Sequence, residues 1–134
     1  MIEDPEFLTV DDVLELHRDQ IERYGGDPGI RDRGLIEAAV AMPRQSFGGQ
    51  FLHVDLFEMA AAYAFHLAEG QAFLDGNKRV GLAAAYVFLE LNGYVLSRDE
   101  DRLYDAMIAI GTHQLDKAGL AKVLRECSVP DEEI

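Results

Sequence analysis

A single cysteine, Cys127, in 134 residues excludes an internal disulfide framework and a Cys-rich zinc site. Tryptophan is absent and histidine occurs only four times, so few side chains are available for chemistry. Basic residues are also scarce: 12 Lys and Arg stand against 25 Asp and Glu, a formal charge of −13 at pH 7. That balance argues against a non-specific nucleic-acid binder, which must neutralise phosphates, and against docking on an anionic membrane surface. No apolar run approaches a membrane span. Met1-Ile2-Glu3-Asp4-Pro5 lacks the basic and apolar regions of a signal peptide, so a cytoplasmic protein is the expectation. What is present is one domain's length of chain, read as a single unit over 1–134, with 49% apolar residues to fill one core. The charge sets a condition: if the chain handles an anion, something local must overcome −13.

The pattern reads as helix after helix. Thr9-Val10-Asp11-Asp12 fits a capping box; Val13, Leu14, Leu16, Ile21 and Tyr24 follow on roughly one face, and Gly25-Gly26 stops the run. A second helix fits about 32–42, with Leu35, Ile36, Ala39 and Val40 spaced for burial and Pro43 ending it. The stretch from Pro43 to Leu52 is the least helical, and Ser46-Phe47-Gly48-Gly49 is either a loop or the turn of a short hairpin. Asp55-Leu56-Phe57-Glu58 has the form of another capping box, opening an alanine-rich helix that runs to about Glu69 and ends at Gly70. A helix from about Asn77 to Asn92, capped by Gly93, is apolar around most of its circumference, the pattern of a central helix. Tyr94-Val95-Leu96 reads as briefly extended. Ser97-Arg98-Asp99-Glu100 caps a helix to about Ile110, Asp116 begins a last one to about Cys127, and the tail over 128–134 is expected to be flexible. Six helices with short links predict an all-α bundle.

The chemistry concentrates in Gln71-Ala72-Phe73-Leu74-Asp75-Gly76-Asn77-Lys78-Arg79. This loop precedes a helix whose N-terminus offers unpaired N–H groups and a positive dipole end. Gly76 permits close backbone approach, and Asn77, Lys78 and Arg79 add donors, a combination suited to phosphate. Asp75 would repel a phosphate unless a cation lies between them, which is how Mg²⁺ is held with nucleotide oxygens. Phe73 reads as a core plug that pins the loop. The same residues also read as a plain turn, with Asn77 as an N-cap and Lys78-Arg79 as a solvated first turn; the spacing alone leaves both readings open.

This loop resembles the Fic motif, His-x-Phe-x-Asp/Glu-Gly-Asn-Gly/Lys-Arg, in the form carried by death-on-curing (Doc) toxins. Phe7-Leu8-Thr9, Gly29-Ile30-Arg31-Asp32-Arg33-Gly34-Leu35, Pro43-Arg44-Gln45 and Phe88-Leu89-Glu90-Leu91-Asn92-Gly93-Tyr94 extend the likeness over about residues 7–126. The resemblance implies a small all-α Fic fold with the motif loop between two central helices. It implies Mg²⁺ on Asp75, an anion hole at Gly76 and Asn77, a terminal phosphate on Arg79, and Phe73 as the anchor. Lys78 stands where AMP-transferring members carry a second glycine, and in the Doc branch that Lys goes with transfer of the terminal phosphate of ATP. The resemblance thus favours a protein kinase over an AMP transferase. The implied acceptor is a hydroxyl of a translation factor, elongation factor Tu, with arrest of translation as the outcome. The implied partner is a Phd-type antitoxin.

One position departs from the motif: Gln71 stands where active members carry the general-base His. A Gln side chain cannot take a proton near neutrality, and losing a general base costs roughly 10²- to 10⁴-fold in rate. The metal- and nucleotide-binding groups remain, so binding can survive loss of transfer, as in a pseudoenzyme holding nucleotide or antitoxin. Gln71 is a natural binding-only variant, an inactivating change, or a tolerated residue served by another base. His66, five residues earlier and inside a predicted helix, is a helix-end histidine or that substitute base. His17, His53 and His113 are scattered and form no metal-ligand pattern. Cys127 reads as a small packing residue.

Overall fold

Alanine and glycine decide how the helices meet. In the computed structural model, which describes residues 4–96 and 99–133, six α-helices carry the fold. They are α1 (Val10–Tyr24), α2 (Arg33–Ala41), α3 (Leu56–Gly70), α4 (Asn77–Leu91), α5 (Glu100–Gly111) and α6 (Lys117–Glu126). The all-α expectation holds, but the most buried helix is α3, not α4. Met59 to Ala64, Leu67 and Ala68 are all buried on α3, whereas Tyr86 on α4 reaches solvent. Its alanines let α2, α4, α5 and α6 pack around it. The tightest crossing is at Gly81: a Cβ there would lie 2.7 Å from the carbonyl oxygen of Ala64, a backbone atom that no rotamer change can move.

Four of the six helices open with an aspartate that caps them. Asp32, Asp55, Asp99 and Asp116 each accept an N–H from the third residue onward. Thr9 and Asp12 form the predicted reciprocal box at α1. At α3 the box is only half made, because Glu58 accepts from the Val54 N–H and not from that of Asp55. Of the proposed cap at the start of α5, Ser97 and Arg98 lie outside the described residues, and Asp99 is the capping residue found.

Two boundaries differ from the sequence reading, and one alternative it left open is decided. Pro43 does not end the chain's coiling; it is buried in a 3₁₀ turn, Met42–Arg44, that continues α2, since proline's missing N–H is harmless in the first turn of a new element. The Ser46–Phe51 segment is a hairpin, β1 (Ser46–Phe47) with β2 (Gln50–Phe51), turned by Gly48 and Gly49 at φ +61° and +81°. The segment read as the start of a loose tail instead pairs as β4 (Ser128–Pro130) with β3 (Tyr94–Leu96), where the open edge of β3 offers it backbone partners. Cys127 is buried in the core beside this strand, as a packing residue.

The N-terminal segment is tied down before α1 begins. The hydroxyl of Tyr63 accepts the Leu8 N–H at 2.8 Å, and the Asn92 carboxamide brackets the backbone of Glu6. Burial pushes the Tyr63 phenol up to about 12. No helix among the described residues is long and apolar enough to cross a membrane. Gly81→Ala is expected to lose about 1–3 kcal/mol by chemical denaturation, although Ala is the better helix former by about 1 kcal/mol, because the methyl meets backbone.

Candidate functional site

The motif loop is built by its neighbours. α3 ends at Gly70, as the sequence indicates, and Gln71 follows it in the left-handed region, φ 50° and ψ 49°. A left-handed residue with a side chain carries strain, and the two carbonyls it turns outward are held by one guanidinium. Arg31 donates from Nε to the Gln71 carbonyl at 2.7 Å and from Nη2 to the Gly70 carbonyl at 3.0 Å. The α1–α2 connection then runs beside the motif. Arg31 and Asp32 both donate backbone N–H to the Ala72 carbonyl, at 2.7 and 3.0 Å, and the Leu74 N–H donates to the Gly29 carbonyl at 3.0 Å.

Phe73 is buried and its ring lies flat on that of His17, centroids 3.7 Å apart and planes 11° apart. The Asn77 side chain closes the turn from the other side, accepting the Phe73 N–H at 3.1 Å and donating to the Phe73 carbonyl at 2.9 Å. Its carboxamide therefore braces the loop, and Asn77 is not the helix cap. Gly76 is, at φ +80°. Asp75 is held at both ends: its carbonyl accepts from His17 Nε2 at 2.8 Å, and its Oδ2 accepts the Asp27 N–H at 2.8 Å.

These residues open onto a cleft of about 460 Å³. One side is the motif itself, with Gln71, Asp75, Gly76, Asn77, Lys78 and Arg79 all contributing. The other side is α5, through Tyr104, Met107 and Ile108. The first N–H of α4 to find a helical partner is that of Val80, on the Gly76 carbonyl at 2.9 Å. The amides of Gly76 to Arg79 are thus unpaired among the described residues, as an anion site at a helix N-terminus requires. Arg79 lies under α1, with Nη2 donating to the Gly25 carbonyl at 3.0 Å and the guanidinium 5.7 Å from the Tyr24 ring centre. The stem of Lys78 lies along α5, so close that a Cβ on Gly111 would come within 2.6 Å of Lys78 Cε.

Asp75 fits a magnesium ion of the nucleotide-bound kind. Oδ1 makes no hydrogen bond among the described residues, and no other acidic or histidine side chain clusters there to form a protein-only cage. Mg²⁺ commonly takes one or two carboxylates and completes its shell with phosphate oxygens and water.

His66 does not join this cleft. It faces α6, where Lys117 Nζ lies 3.2 Å from its Nε2. Burial first, then the Lys117 charge, pushes the imidazole down to about 4. Lys117 itself lines a separate cavity of about 270 Å³ with His53 and Glu58. His66 is therefore misplaced for the substitute-base role: α3 carries Gln71 and His66 to different faces.

Sequence reasoning missed His17, Arg31, Asp27 and the α5 wall. His17 carried a signal, falling four residues after Val13 on the buried stripe of α1, where both are hidden. Arg31 and Asp27 carried none, because they act across a loop contact.

Residues 7–89 match the Fic/DOC family. The chain is 38% identical over 121 residues to "Toxin Doc" of Mycolicibacterium smegmatis, covering 89% of this chain and 91% of that protein. It is 34% identical over 118 residues to "Protein kinase doc" of Escherichia phage P1, covering 88% of this chain and 92% of that protein.

Two outcomes follow from the geometry. Asn77→Ala is expected to cost about 1–3 kcal/mol in thermal unfolding, because it strands the buried Phe73 N–H and carbonyl, and to speed hydrogen exchange at Phe73. His66 binds its proton less readily folded than unfolded, so its contribution is complete above the ordinary histidine value and is lost as pH falls from about 6.5 toward about 4. Replacing it by Gln should shrink the stability difference between about pH 7 and about pH 5, measured by urea denaturation of both proteins.

Proposed function

Because the chain belongs to the Fic/DOC family, we propose that it is a Doc-type toxin scaffold that binds Mg-ATP in the cleft between the motif and α5. Its reaction is transfer of the terminal phosphate to a hydroxyl of a translation factor, elongation factor Tu, slowed here by Gln71. The observation that carries this reading is the convergence of Asp75, the unpaired amides of Gly76 to Arg79, Lys78 and Gln71 on one cleft.

Each group has a role that its chemistry supports. The amides at the start of α4 and the Arg79 guanidinium are donors to phosphate oxygens. Lys78, free of a carboxylate partner among the described residues, adds a positive charge to the cleft lining. Asp75 would hold magnesium through Oδ1, and the ion would supply neutralisation of phosphate charge. In the transfer, the acceptor oxygen bonds to the terminal phosphorus, the bridging P–O bond breaks to release ADP, and the hydroxyl proton must leave. Gln71 lines the cleft where that proton would be taken, and its amide has no basic lone pair to take it. With His66 turned to α6, no second imidazole makes good the loss. This favours binding over turnover in the chain as it stands.

The matching partner is a Phd-type antitoxin in the cytoplasm. An overall charge of −13 favours basic faces on any protein that docks here.

The deciding experiment is Gln71→His with ATP labelled on the terminal phosphate and, in a parallel reaction, on the α-phosphate, with elongation factor Tu as acceptor. The variant is expected to label the factor at least about 100-fold faster than the parent. The parent should bind Mg-ATP by calorimetry, and Arg79→Ala should abolish the heat. Label transferred only from the α-phosphate would make the protein an AMP transferase, and no transfer with no heat would overturn the reading.

A further inference from the structure

His17 sits on α1, is 3% exposed, and does not line the cleft, yet it touches two consecutive parts of the motif loop. Its ring is stacked on Phe73, and its Nε2 lies 2.8 Å from the carbonyl oxygen of Asp75. A carbonyl oxygen only accepts, so Nε2 carries a hydrogen. The stacked Phe73 ring sets the imidazole plane, and that plane aims the hydrogen.

The consequence lies in the next peptide. The chain has no cis bond among the described residues, and in a trans, planar peptide the C=O and N–H point to opposite sides. Drawing the Asp75 carbonyl toward α1 therefore turns the Gly76 N–H away from α1. Left to itself this peptide would be easy to invert, because glycine accepts positive and negative φ almost equally. Inversion would put a carbonyl dipole where a donor stands and would turn an attractive site for phosphate oxygens into a repulsive one. On the reading that the cleft takes Mg-ATP, we propose that His17 is a positioning residue for the anion-binding turn. It holds the Asp75–Gly76 peptide with its amide outward and, through the same residue, steadies the Asp75 carboxylate that Asp27 grips from the side.

Two variants separate this role from simple packing. His17→Phe keeps a flat ring against Phe73 and removes the donor. His17→Gln places an amide nitrogen the same number of bonds from Cα and restores a donor without the ring. In isotope-labelled protein, the Asp75 carbonyl and Gly76 amide resonances should move in His17→Phe and return toward the parent in His17→Gln. The affinity for Mg-ATP by calorimetry should fall about tenfold in the Phe variant and largely recover in the Gln variant. In the Gln71→His background the loss should fall on KM more than on kcat. Resonances that stay in place in the Phe variant, or equal weakening of binding by both variants, overturn the proposal. Should the Phe variant fail to fold, the imidazole nitrogen spectrum of the parent decides: a protonated Nε2 supports the role and a bare Nε2 overturns it. A parent that gives no heat with Mg-ATP counts against the proposed function alone, since the resonance and tautomer measurements need no nucleotide.

Discussion

A loop that passes through a protein interior must find a partner for every backbone polar group it carries, and the segment from Gln71 to Asp75 lives under that constraint. Ala72 and Phe73 are buried, so water is not available to them. The solution is a ring of contacts from three directions. The α1–α2 connection takes the carbonyls of residues 70 to 72 and the N–H of Leu74. Asn77 takes both backbone groups of Phe73, and His17 takes the carbonyl of Asp75. The first amides of α4 make no internal hydrogen bond among the described residues, and their residues edge the cleft.

The same constraint explains why the motif alone is an incomplete description of the site. Arg79 rests against the end of α1, Asp75 against Asp27, and Lys78 against the bare backbone of Gly111. Gly26 sits so close to the motif that a Cβ there would lie 3.1 Å from the Cβ of Asp75. The cleft is therefore lined by the loop after α3, the start of α4 and one face of α5, and the loop after α1 braces the motif from behind. Electrostatically it stands apart from the rest of the molecule. Asp75, Lys78 and Arg79 sum to +1 in the motif, and Arg31 lies behind it, within a chain of net −13. A helix N-terminus and a magnesium ion would carry the remaining work of drawing in a triphosphate.

Much of this was legible in one dimension. Helix starts were readable because an Asp or Thr cap acts within three residues of itself, as at Thr9, Asp32, Asp55 and Asp116. The Asp75-to-Arg79 grouping was readable because its members are adjacent and enter one helix turn. Errors arose where the partner was distant. The left-handed turn at Gln71 was not foreseen, because Arg31 holds its turned-out carbonyl from forty residues away. The tail gained a strand because β3 offered an edge. His66 and Gln71, near in sequence, face different surfaces because of the helical twist between them and the presence of Lys117.

The sequence by itself determined the class of fold, the order of its helices, the motif and the glutamine at its first position, Gln71. All of these depend on residue type and on interactions within a turn or two of helix. The tertiary structure decided that Asn77 braces the loop, that His66 turns to α6, that α5 supplies the opposite wall, and that His17 grips the motif. Those outcomes turn on hydrogen bonds and packing between segments far apart in the chain, where only the folded backbone sets which groups lie within 3 Å of one another.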